Sequence, residues 1–462
     1  MLKISLTTPT ATRLGSALLA LAIALPGSAA TPTTATPAAS TLMTLYNFND
    51  LNDGGFPEAG VVQDSSGALY GVSSSGSTGW GSVFQLKPGT GGTWTESTLY
   101  TFTGGADGAT PLGALLIGAN SILYGTTYDG GAHGYGTVFQ LAPGTGSSWT
   151  LTTLYSFLGG TDGANPSAGL VLGASTGTLY GTTFNGGTKG MGAVFELNPV
   201  KTGGYTEKLL YSFQGGADGA NPMASLALSS KTVLYGTTSQ GGSVTITNQP
   251  PTCTTSTPCV YANQGTVFQV APAGGGVWKE SLLYTFTGQG DGGSPESPLI
   301  LSSLGVLYGN TFWGGTALNC PESAYAQGCG VVFQLAPPTG TVTTWTQKVL
   351  YNFTGVSPDG AHPYGPMSIN ANTDLFGTTF SGGGTQDLCF PEAYIGCGTI
   401  FELKPSKGGV WTKSNVSTFP GSPAGGSPNG ILLGANGVLY GTTIVGGNSG
   451  GYGTVFAFGP SN

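Results

Sequence analysis

The chain has 462 residues, among them 83 Gly and 29 Pro, with only 7% charged side chains, which fits neither a helical globular protein nor a charge-rich disordered one. Twelve basic against twenty acidic side chains give a formal net charge of −8, and with no Lys/Arg cluster to neutralise a run of phosphates the composition argues against nucleic acid as a partner. A 39% hydrophobic share, with 20 Tyr, 21 Phe and 7 Trp spread along the chain, supplies apolar area for an extended β core.

Lys3 and Arg13 precede an apolar run over 14–25, and Pro26 ends it just before Ser28-Ala29-Ala30, the layout of an export signal with cleavage expected after Ala30. The run is too short to span a membrane, no later stretch reaches about eighteen uninterrupted apolar residues, and 456–462 carry no anchor. A secreted or periplasmic protein without a membrane span is expected. Residues 31–41 read as a Thr/Pro/Ala linker, 42–458 as the folded unit and 459–462 as a short tail.

A three-residue signature then recurs seven times, at Leu69-Tyr70-Gly71, Leu123-Tyr124-Gly125, Leu179-Tyr180-Gly181, Leu234-Tyr235-Gly236, Leu307-Tyr308-Gly309, Leu375-Phe376-Gly377 and Leu439-Tyr440-Gly441. The basic unit is about 55 residues, and the longer steps accompany insertions in the second half. Each unit holds four short apolar segments between Gly/Pro/Asp turns. In the second unit these are 112–117, 122–127, 137–141 and 149–157, denoted A to D. Four antiparallel strands make a blade, which is stable only when neighbours cover both of its apolar faces.

The first structured segment, 42–48, is of D type with no A, B or C before it, whereas the last unit has A, B and C and then ends. Seven D strands match seven A-B-C sets only if 42–48 completes the last blade. The expected fold is therefore all-β, a seven-bladed propeller of four-stranded antiparallel blades closed by the N-terminal strand. An open solenoid of stacked repeats is the alternative.

Asp-Gly-x-x-Pro recurs six times between D and A, from Asp53 to Asp359, and Ala424 stands in the Asp position of the seventh copy. Asp bonds back to nearby amides, Gly tolerates positive φ and Pro begins a strand, so a turn is preferred over a ring of functional carboxylates. Gly-rich stretches such as 130–136 join B to C with no following Lys or helix start, which disqualifies them as phosphate cradles. Cys253 with Cys259, Cys320 with Cys329 and Cys389 with Cys397 form three close pairs inside insertions, read as local disulfides; zinc is the rival, but no His is near in sequence. His133 and His362 read as surface residues. No catalytic motif, metal set or cofactor signature is present, and a monomer is expected.

The D-to-A and B-to-C connections of such a blade lie on one face of the ring, so that face collects the cysteine inserts and many aromatics. Exposed aromatics among neutral polar groups suit stacking on sugar rings or docking on a protein. The ligand candidates are Tyr128, Phe184, Trp313 and Phe380, with Glu322 and Tyr325, and Glu392 and Tyr394, from the near-identical inserts of units five and six. Burial of these aromatics against neighbouring loops is the competing reading.

The recurrent Leu-Tyr-Gly-Thr-Thr-x-x-Gly-Gly followed by Gly-Thr-Val-Phe, as in 123–131 with 136–139, resembles the GloVer (Gloeo_Verruco) tandem repeat of bacterial exported proteins. The resemblance covers 42–458, implies fold and export, and carries over no catalytic residue. The expected function is a secreted binding protein that recognises a carbohydrate or a cell-surface partner through the B-to-C face of blades four to six. The alternatives are a propeller hydrolase or lyase acting on a polysaccharide or lactone, with channel carboxylates as acid and base, and a purely structural envelope protein.

Overall fold

The structure, a computed structural model, describes residues 40–49, 53–174, 177–201, 203–242, 264–317, 320, 328–384, 388–390, 394–447 and 450–460. The seven signatures begin seven equivalent strands, Leu69–Ser73, Leu123–Thr127, Leu179–Thr183, Leu234–Thr238, Leu307–Thr311, Leu375–Gly382 and Leu439–Val445. Each is the B strand of an antiparallel A-B-C-D sheet. In blade two the order is Leu116–Ile117, Leu123–Thr127, Thr137–Pro143 and Trp149–Ser156. Strand A is shorter than the sequence suggests, since 112–114 lie outside it and line the central cavity instead.

The last blade takes its D strand from the other end of the chain. Ser40–Asn47 pairs antiparallel with Thr454–Pro460, from Ser40 opposite Pro460 to Asn47 opposite Thr454. Blade seven also touches blade one, since the Thr442 hydroxyl donates to the Ala59 carbonyl at 2.9 Å and the Phe56 amide to the Tyr452 carbonyl at 2.7 Å.

Every residue of the signature has a packing role. Its Leu is buried in all seven blades. The phenol spans to strand C, as where Gln85 donates to the Tyr70 hydroxyl at 2.6 Å. The Gly leaves room for a Phe from strand C, and a Cβ on Gly125 would sit 2.5 Å from Phe139 Cζ. That Phe meets the Phe that ends the preceding blade's D segment. The pairs are Phe48–Phe84, Phe102–Phe139, Phe157–Phe195, Phe213–Phe268, Phe286–Phe333, Phe353–Phe401 and Phe419–Phe456, edge to face, with centroids 4.9–5.3 Å apart. The first Thr after Gly ties blade to blade, as where Thr126 donates to the Ala168 carbonyl at 2.8 Å. The second pairs with strand C, as Thr127 does with Thr137 at 2.9 Å.

The Asp-Gly turns are a second repeated device. Asp107 accepts from the Tyr100 hydroxyl at 3.0 Å and the Thr103 amide at 2.8 Å. Asp53, Asp162, Asp218, Asp291 and Asp359 are held in the same way, by the Tyr two residues before the D-end Phe and by the amide just after that Phe. The seventh copy loses all three partners together, with Ser417 for Tyr, Pro420 for the amide donor and Ala424 for Asp. The Cys389–Cys397 disulfide lies there instead; a Cβ on Gly426 would be 2.6 Å from Cys389 Sγ.

If the Gly–Phe fit sets the blade boundary, Gly125→Ala should cost about 1–3 kcal/mol through overpacking and Phe139→Ala about 3–5 kcal/mol through the cavity it leaves. The double variant should lose clearly less than the sum, because without the ring the new methyl keeps only its contact with Leu115 Cδ2 at 3.0 Å. Urea unfolding of the four proteins checks this, and strict additivity would contradict it.

Candidate functional site at the mouth of the central channel

The residue before each turn Pro has a left-handed backbone although it is not Gly. Phe56, Thr110, Asn165, Asn221, Ser294, His362 and Ser427 have φ between 51° and 57°. This conformation is costly, and it persists because each amide donates to a carbonyl just ahead of strand C in the preceding blade, such as Thr110 to Trp80 and Asn165 to Tyr135. The bend brings the residue after each Pro to the axis, at the end that carries the B-to-C loops.

That position differs in every blade: Glu58, Leu112, Ser167, Met223, Glu296, Tyr364 and Asn429. The small residues that follow, such as Ala59, Gly113, Ala168, Ala224 and Gly365, make the wall. Together they enclose a cavity of about 390 Å³, within the usual range for small-molecule sites. Around the ring the identities segregate, with polar Glu296, Tyr364, Asn429 and Glu58 on blades five, six, seven and one, and Leu112 and Met223 flanking Ser167 on the opposite side.

Ser294 donates to Glu296 Oε1 at 2.9 Å and Ser74 to Glu58 Oε1 at 3.0 Å. Burial pushes Glu296 up to about 7 against the lowering effect of its Ser294 bond, and Glu58 is raised for the same reason. Both line the channel cavity, Glu58 exposed and Glu296 half-buried. The Tyr364 phenol is raised by burial first and then by the charges of Glu296 and Glu58. Asn429 donates to the Glu58 carbonyl. Among the described residues, no Lys, Arg or His lines the cavity.

Just outside this ring stand the residues that follow Gly-Thr-Thr in strand B, and there the structure places several of the aromatics expected from sequence. Tyr128 and Phe184 are half-buried on blades two and three, their amides bonded to Thr110 and Asn165. Phe380 and Trp313 are brought together on blades five and six with Phe312, whose ring lies 5.8 Å from Tyr364 and 6.1 Å from Phe380. Phe380 lies 6.0 Å from Tyr364, so this group forms an aromatic wall leading down to the polar arc. Tyr394 belongs to a short strand, Tyr394–Ile395, paired with Leu388–Phe390. Glu322, Tyr325 and Glu392 lie outside the described residues, as do Cys253 and Cys259.

Two disulfides form as expected, Cys320–Cys329 and Cys389–Cys397, both between strands B and C. His362 corrects the sequence reading, which placed it on the surface. It is fully buried in Gly360–Pro363, stacked on Phe312 at 4.8 Å and edge-on to Trp313 at 4.6 Å. Its Nδ1 bonds Ser381 at 2.9 Å, and Nε2 lies 3.7 Å from Cys320 Sγ. Burial drives its pKa down to about 3, so the ring is neutral and acts in packing. Glu58, Glu296 and Tyr364 are the residues that sequence reasoning missed. The available clue was that the residue after the turn Pro varies while its surroundings repeat.

The six turn aspartates are not a channel ring; each is held by the Tyr and amide donors described above, and none lines the cavity. Among the described residues, no group of three or more His, Cys, Asp or Glu side chains could hold a metal ion, and no helix is long and apolar enough to cross a membrane.

The chain belongs to the Gloeobacter/Verrucomicrobia repeat family, whose model matches residues 23–247 and 253–462. No curated protein matches the chain. Solved structures of similar shape include a PQQ-bound aldose sugar dehydrogenase from Streptomyces coelicolor, 13% identical over 75% of this chain and 93% of that one, with a TM-score of 0.41. A gluconolactonase from Xanthomonas campestris is 10% identical over 92% of both chains, with a TM-score of 0.39. The PQQ domain of a pyranose dehydrogenase from Coprinopsis cinerea is 10% identical over 92% of this chain and 96% of that one, with a TM-score of 0.41.

A different set of carboxyls, Glu96, Glu207 and Glu280, lies on D strands. Each is pushed up to about 7, by burial first and then by Asp53, Asp162 and Asp218 respectively. A carboxyl raised in the folded state favours folding while protonated, so its contribution is whole below the ordinary value of 4.5 and is lost as pH rises through about 7. The melting temperature should fall between those limits, with a shallower fall in the triple variant Glu96→Gln, Glu207→Gln, Glu280→Gln. Calorimetry across that range checks both, and equal slopes in the two proteins would refute the assignment.

Proposed function

We propose that the protein is an exported propeller that binds a small carbohydrate, entering on the B-to-C loop face and seating in the mouth of the central channel. The observation that carries this is the cluster of Phe312, Trp313 and Phe380 packed beside Tyr364, which with Glu296 and Glu58 lines a half-open cavity of about 390 Å³. Aromatic faces suit the C–H face of a sugar ring, and carboxyl, amide and phenol groups suit its hydroxyls. Export is supported by the disulfides, which persist in oxidising compartments, and by the N-terminal sequence. The mature protein recovered from periplasm or medium should begin at Thr31; cytosolic protein with 1–30 attached would remove export from the proposal.

A glycan array followed by calorimetry tests the binding. Leu112→Trp fills the channel from its apolar side without touching a blade boundary, and it should reduce sugar affinity by at least about tenfold, the loss of roughly 1.4 kcal/mol of contact. Unchanged affinity in a folded Leu112→Trp protein would move the site away from the channel.

The channel carboxyls favour a second reading, a hydrolase or lyase. With its pKa near 7, Glu296 is partly protonated at neutral pH, as a general acid requires, and Glu58 lies within electrostatic reach of the same phenol. Release of reducing ends or unsaturated products from a polysaccharide panel, abolished by Glu296→Gln, would support it. A panel without turnover would remove it.

A further inference from the structure

The polar arc of the channel holds two carboxyls with no basic partner among the described residues of its lining. Glu296 and Glu58 flank Tyr364 and Asn429 on four consecutive blades, and no Lys, Arg or His among the described residues lines the cavity. Each carboxyl accepts one serine hydroxyl at Oε1, and among the described residues no further hydrogen bond reaches either group. Two carboxylates elsewhere in the protein do have a direct cation partner. Lys413 bonds Asp359 at 2.5 Å between blades, and Lys404 pairs with Glu402 at 2.9 Å. Two carboxyls that line one cavity, with no basic side chain among the described residues of its lining, are placed to accept a cation from a ligand, because a partner charge offsets the desolvation they bear.

A bare divalent ion does not suit the site. Beyond the two carboxyls its ligands would all be neutral oxygens, from Ser167, Asn429, Tyr364 and wall carbonyls, and no group of three or more His, Cys, Asp or Glu side chains that could hold a metal exists among the described residues. A cation attached to an apolar-faced ring does suit it, with charge toward blades five to one and ring carbons toward Leu112 and Met223.

We infer that the channel selects a sugar bearing a protonated primary amine, with the ammonium held between Glu296 and Glu58 beside the Tyr364 phenol and the ring seated on Leu112 and Met223. This rests on the carbohydrate reading above and sharpens it to a hexosamine. It also implies rejection of acidic sugars, whose carboxylate would face two like charges.

Calorimetric titration with D-glucosamine, D-glucose and D-glucuronate tests the inference. Glucosamine should bind at least about tenfold more tightly than glucose, the worth of one charge-assisted contact, and glucuronate should not bind. Glu296→Gln and Glu58→Gln keep the side-chain shape. Each should weaken glucosamine by about tenfold or more while leaving glucose little changed. Thermal denaturation verifies that both variants are folded. Equal affinities for glucosamine and glucose, or Gln variants that bind glucosamine as the parent does, would overturn the amine selection and leave the carbohydrate reading standing. Binding of methylammonium with no sugar would overturn the carbohydrate reading and the hexosamine with it. Silence from every probe would overturn both.

Discussion

One contact, repeated seven times, holds this protein together: the Phe at the end of each D segment meets edge-on the Phe of strand C in the next blade. It depends on the glycine of the B-strand signature, since any Cβ there would occupy the space of the strand C ring. A blade alone exposes these rings, so the fold is stable only as a closed set in which each boundary is covered. The N-terminal strand shows this most directly. It supplies the last blade's D strand, and Phe48 just beyond it meets Phe84 of blade one.

Constancy at the boundaries frees other positions to vary. The Asp-Gly turn, the left-handed residue before Pro and the Gly-Thr-Thr hydroxyls belong to the frame. They present one unconstrained side chain per blade to the axis. Seven such side chains make a ring whose chemistry is decided residue by residue, and in this chain it is polar on one arc and apolar on the other. The frame also adjusts to local loss. The seventh turn lacks its Asp, its Tyr and its amide donor, and a disulfide from the adjoining blade packs against that turn.

Blade number and ring closure were legible because the evidence for them is local: a period of about 55 residues, and a D segment standing before any A, B or C. The role of the turn aspartates was legible too, since a side chain that bonds amides a few residues away leaves a short motif. His362 was misread because its neighbours in sequence are turn residues, whereas Phe312, Trp313, Ser381 and Cys320, which bury it, come from other strands and loops. Glu58 and Glu296 were passed over because each looks like the end of a turn motif, and only their shared cavity sets them apart. The aromatic wall was anticipated in part, through Trp313 and Phe380, because the strand order alone assigns them to one face.

The sequence by itself determined the repeat, the strands, the order in which they pair and the family, because each of these follows from contacts within one unit or between units of identical pattern. Only the tertiary structure decided which residues share the channel. Glu58, Glu296 and Tyr364 hold the same repeat position on blades one, five and six, but the repeat does not say that this position faces a shared cavity. Their environment, two carboxyls held high beside a phenol with no basic side chain among the described residues of the wall, arises when the ring closes.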